Sequence, residues 1–122
     1  MADQNKGNTI VGNLEYEKAM AFIIVEIIEY IPQSVVIKTI IKKTTGNVTA
    51  VSIDAGEVLT ENTSPFDTFI QIIDGQAEVE IAGKISKLGT GEAMIIPAHK
   101  PHSVKANKRF KMLSTIIKSG YE

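Results

Sequence analysis

The chain has 122 residues, enough for one domain with a real core and no room for a second. Hydrophobic residues make up 43% and charged residues 22%, the balance of a soluble globular protein. Thirteen Lys and Arg against fourteen Asp and Glu give a net charge of −1, which is not the footprint of a nucleic-acid binder. The absence of cysteine excludes disulfides, thiolate catalysis and zinc ribbons, and two histidines rule out a cluster of imidazoles.

Residues 1–13 are polar, with three Asn and two Gly, and are expected to be a flexible N-terminus ahead of one domain over 14–122. No basic segment followed by an apolar stretch opens the chain, so no signal peptide is expected. The most apolar run, Ala19 to Ile31, is interrupted by Glu26 and Glu29 and is shorter than the about 20 residues a membrane span needs. A soluble, cytoplasmic protein with neither a membrane nor a nucleic-acid partner is the expectation.

From Leu14 to Ile31 the pattern fits two elements. Met20, Ile23, Ile24, Ile27, Ile28 and Ile31 sit at helical spacing, yet Phe22 to Val25 also reads as a buried strand. The preferred reading is a short strand near 20–25, then a helical turn ending at Tyr30 ahead of Pro32. Beyond Pro32 the texture is β throughout. Val35 to Lys42 is rich in β-branched residues, Thr45-Gly46-Asn47 is a turn, and Val48 to Ile53 alternates loosely. Phe69 to Ile73 is an apolar run that Asp74-Gly75 should close as a hairpin. Ala77 to Ile81, Ala93 to Ile96 and Phe110 to Ile117 complete a set of short strands, the pattern of a β-sandwich or barrel.

The punctuating residues have a regular frame. Gly56 is followed after five residues by Asn62, after one by Ser64, after three by Thr68 and after six by Gly75. Gly91 is followed after five by Pro97, after one by His99 and after two by His102. These spacings resemble the two motifs of the cupins, with the fifteen residues between Gly75 and Gly91 suiting the short inter-motif loop of small members. The resemblance covers about residues 33–118 and implies an all-β fold: a double-stranded β-helix, or jelly-roll barrel, here with a short helical turn near the N-terminus.

A typical cupin holds a divalent metal with two His and one Glu from the first motif and one His from the second. Carried over, those ligands fall on Asn62, Ser64, Thr68 and His102, and only His102 keeps its type. One imidazole with an amide and two hydroxyls is a poor set for a transition metal, so no cofactor is expected. A metal, if held, would have to use His102, Asn62 and Asp67, with Glu61 or Gln71 as weaker substitutes. Asp67 should face away from Thr68 by strand alternation unless a bulge near Pro65 flips the parity. His99, where the family has Gly, is expected at the rim.

The expected ligand pocket is therefore lined by Asn62, Ser64, Thr68 and His102, with apolar walls drawn from Ile53, Leu59, Ile70, Ile72, Ile96 or Leu113. His102 is the candidate proton carrier, with Asp67 or Glu61 to orient it. Lys105, Lys108, Arg109 and Lys111 read as a solvated face. The favoured function is a metal-free cupin barrel that binds a small ligand. The first alternative is a cupin-type isomerase, lyase or oxygenase working through His102, and the second a dimeric scaffold with a vestigial pocket. Phe22 to Val25 and Val35 to Ile41 are apolar on both faces, which implies a covering partner and hence a homodimer.

Overall fold

The structure, a computed structural model, describes residues 8–61 and 63–121. It is built of β1 (Asn8–Gly12), β2 (Ser34–Lys43), β3 (Gly46–Ile53), β4 (Val58–Glu61), β5 (Asp67–Ile81), β6 (Lys84–Gly89), β7 (Ala93–Ile96), β8 (His102–Lys105) and β9 (Phe110–Ile117), with one 3-10 turn at Ile24–Glu26. The strands run in the order β1-β2-β3-β9-β5-β8-β4, and β6 and β7 also pair with β5. All pairs are antiparallel except β1 with β2. No helix among the described residues is long and apolar enough to cross a membrane.

Two walls face each other, and β5 belongs to both. Its first half, from Asp67, pairs with β7 and β9; its second half, to Ile81, pairs with β6 and β8. The expected hairpin at Asp74-Gly75 is therefore corrected. The chain does not reverse there but bends, with a register shift between Ile72 and Asp74 and Gly75 at φ +89°. A glycine in the left-handed region serves a bulge as well as a turn, so the local signal was right and its use different. The Thr90 hydroxyl brackets the bend, accepting from the Gly75 N–H at 3.0 Å and donating to its carbonyl at 3.3 Å. A Cβ at Gly75 would collide with the Arg109 carbonyl oxygen and lie 2.9 Å from Phe110 Cα. The core beneath the bend is apolar, with Phe110, Ile53 and Ile72 fully buried.

Residues 13–33 contain no strand at 20–25, and β1 occupies the edge of β2 that such a strand would need. Of the stretch 1–13 expected to be flexible, residues 1–7 lie outside the described residues and Asn8–Gly12 is β1. The segment crosses the outer face of β2, β3 and β9 as a strap, burying Ile27 and Ile28 against Ile40 and Ala50. An irregular strap has backbone carbonyls that no ladder satisfies. Outward side chains of the barrel supply the donors: Lys38 Nζ to Ile27 O at 2.9 Å, Ser52 Oγ to Glu29 O at 2.8 Å and Lys111 Nζ to Val25 O at 2.6 Å. The strap ends at Tyr30, whose hydroxyl donates to Asp74 Oδ2 at 2.6 Å and whose ring lies 4.4 Å from the Arg109 guanidinium. Burial, then the Asp74 hydrogen bond, pushes the Tyr30 phenol well above its ordinary value.

Two outcomes follow. Gly75→Ala should cost more in chemical denaturation than Gly56→Ala: both carry the about 1–2 kcal/mol of a left-handed alanine, but nothing lies within 4 Å of a Cβ at Gly56. Equal losses would mean that the Arg109 approach relaxes freely. Because the folded-state phenol is raised, its stabilisation is complete below about pH 10 and declines as pH climbs above that. Alkaline titration at 295 nm should accordingly show equal phenolate absorbance near pH 10 in wild type and in Tyr30→Phe. A smaller absorbance in the variant would show that Tyr30 ionises as an ordinary phenol.

Candidate functional site

A partly open cavity of about 190 Å³ lies between the two walls. Strand register builds it in rungs on the first wall. The deep rung is Ile37, Val51 and Met112; the next is Thr49, Ser114 and Ile70; the one nearest the rim is Asn47, Ile116, Thr68 and Ile96. The second wall contributes Leu59, Val104 and His102 from β4 and β8. The surface is thus mostly branched aliphatic, with hydroxyls and one amide confined to the upper rungs.

His102 opens β8, is half-buried, and pairs in register with Glu61 on one side and Ile81 on the other. Its Nδ1 lies 3.2 Å from the Lys100 carbonyl. Only a donor satisfies a carbonyl, so Nδ1 donates in this contact. Thr68 lines the cavity and is almost fully buried. Asn62 lies outside the described residues.

Two sequence expectations are corrected here. Ser64 does not line the cavity: its Oγ accepts from Phe66 N at 3.2 Å and its carbonyl from His99 N at 2.6 Å, so it organises the rim loop. Asp67 is not brought to His102. The alternation runs unbroken, so Thr68 points in and Asp67 out, where its Oδ1 accepts from Ala98 N at 2.7 Å. Gln71 is likewise exposed on the outer side. His99 is exposed at φ +68°, a left-handed position that explains why the motif frame has Gly there. Of the expected walls, Leu59, Ile70 and Ile96 line the cavity, Ile53 and Ile72 lie in the core, and Leu113 packs beneath the strap.

Asn47, Thr49 and Ser114 were not anticipated. Parity could have found them, because Asn47 and Thr49 share a face with Val51, and Ser114 with Met112. The basic cluster is partly spent inside the molecule, with Lys111 and Arg109 both against the Tyr30 ring. Among the described residues no group of three His, Asp or Glu is placed to hold a metal ion. Among the described lining residues, one imidazole with hydroxyls and an amide supplies no anionic oxygen, and this set does not fit a divalent transition metal.

The sequence profile of the Cupin domain family matches residues 50–116, more than half of the chain. The chain is a cupin. Among solved structures, a conserved protein of unknown function from Streptococcus pyogenes superposes with a TM-score of 0.82 at 23% identity, over 89% of this chain and 96% of that one. A cupin superfamily protein from Desulfitobacterium hafniense gives 0.80 at 22% identity, over 87% and 97% of the two chains. A cupin 2 conserved barrel domain protein from Leptotrichia buccalis gives 0.74 at 30% identity, over 77% of this cupin but 46% of its own length. No curated protein matches this cupin. The first motif frame spans β4 and β5 as far as its bend at Gly75, and the second spans β7 and the start of β8.

Proposed function

We propose that this cupin binds a small organic molecule inside the barrel and does so without a divalent metal. The observation that supports it most is the interior cavity itself: apolar walls with a few convergent polar groups are what small-molecule sites are made of. His102 supplies an imidazole at the rim and Thr68 a hydroxyl across from it. A second reading, a proton-transfer enzyme working through His102, is favoured by the register that sets the Glu61 backbone opposite His102. An unfilled cavity speaks against a purely vestigial pocket.

The proposal includes a homodimer, on different grounds from the sequence argument. The outer face of β2 is covered by the chain's own strap, so that premise falls away. Phe69 at 39% exposure, Ile95 at 63% and Ile117 at 55% instead form an apolar patch on the outer face of β5, β7 and β9. A second copy seated there would cover it. In sedimentation equilibrium the wild type should be a dimer and Phe69→Glu a monomer; a monomeric wild type ends this part of the proposal.

For the site, the test is a blocked barrel. Protein purified without chelator should carry no stoichiometric metal, and thermal-shift hits from a small-molecule library should vanish in Thr49→Phe, with its β circular dichroism retained. A saturating ligand at a hundred times its Kd stabilises by about 2.7 kcal/mol, a readily measured shift. Stoichiometric metal lost in His102→Ala, or hits that persist in the blocked variant, would count against the proposal.

A further inference from the structure

We infer that the ligand is neutral and monocyclic, a six-membered ring with a short substituent carrying one oxygen, and that Thr49 and Ser114 select it. The inference rests on the interior cavity being the binding site. Size sets the first limit. A cavity of about 150 Å³ lined by aliphatic side chains takes up benzene, so 190 Å³ accommodates one ring and two or three further atoms. It lies below the range of about 300–1,000 Å³ typical of drug-sized ligands and is too small to enclose a disaccharide or a nucleotide.

Charge sets the second limit. Among the described lining residues there is no Lys, Arg, Asp or Glu. A carboxylate ligand would find one imidazole, which balances it only when protonated, and an ammonium would find no anion among the described lining residues. A monosaccharide fails differently. Its hydroxyls project all round the ring, and most would face Val51, Ile70, Ile96 and Ile116, none of which can hydrogen-bond.

The polar groups fix the orientation. Thr49 and Ser114 are direct cross-strand partners on β3 and β9, with Thr39 of β2 continuing the same row. Among the described residues the side-chain hydroxyls of Thr49 and Ser114 have no protein hydrogen-bond partner. Among the described residues no buried side-chain oxygen is left unsatisfied, so both hydroxyls open on solvent-sized space, and that space is the cavity. A hydroxyl both donates and accepts, so the pair suits a ligand alcohol, carbonyl or ether oxygen alike. With its oxygen on this rung, the ring lies against Leu59 and Val104 of the facing wall.

The test compares benzyl alcohol, benzoate, benzylammonium, glucose and toluene by chemical-shift perturbation and calorimetry on the intact protein. Benzyl alcohol should bind at least about tenfold more tightly than benzoate, benzylammonium or glucose. The near-isosteric Thr49→Val and Ser114→Ala should each weaken benzyl alcohol by about tenfold, the equivalent of one neutral hydrogen bond, while leaving toluene affinity unchanged. Equal losses for toluene would show a structural role and overturn the assignment of the two residues. Preferential binding of benzoate, benzylammonium or glucose, abolished by Thr49→Phe, would overturn the ligand class and leave the cavity as the site. If none of the five perturbs cavity residues, both the class and the cavity reading fall.

Discussion

The close approach of Gly75 to the Arg109–Phe110 backbone is the constraint on which the rest of the barrel depends. It lets a strand of fifteen residues leave one wall and enter the other without a turn. Thr68, near the start of β5, belongs to the wall with the hydroxyl rungs, and Ile81, at its end, is the register partner of His102. One continuous strand therefore sets the spacing between the two sides of the cavity. A side chain at position 75 would push β5 off β9, and the walls would lose their common edge.

The outer surface obeys a complementary logic. The strap contributes little regular structure, and its carbonyls would be a liability against an apolar sheet. Lys38, Ser52 and Lys111 stand at outward positions of three adjacent strands and donate to them. The apolar contact of Ile27 and Ile28 with Ile40 and Ala50 holds the strap down between those bonds. The β2 strand is thus covered on both faces within one chain, which is why its two-sided apolarity does not report a partner.

The parts of the fold legible in the sequence were those fixed by backbone chemistry. Gly56, Gly75 and Gly91 all take φ near +90°, and their spacing carried the family. What local chemistry leaves degenerate was misread. Asp74-Gly75 suits a hairpin and a bulge equally, and only the partner strands decide. Phe22 to Val25 has strand composition, but the available edge of β2 went to the polar-looking Asn8–Gly12. In the site, Thr68 and His102 were placed by the motif frame. Ser64 and Asp67 were not cavity residues, because rim backbone groups claim both. Thr49 and Ser114 lie outside either motif, and finding them requires the register of β3 against β9.

The central claim is an organic ligand, and no metal, between His102 and the hydroxyl rung. The most direct measurement is a diffraction experiment on crystals of protein purified without chelator, with data collected above the absorption edges of iron, nickel, copper and zinc. The expected map shows water or a small organic molecule between Ser114 and His102, with no anomalous peak in the barrel. An anomalous peak within bonding distance of His102 Nε2 would contradict the account and return this cupin to the metal-dependent members of its family.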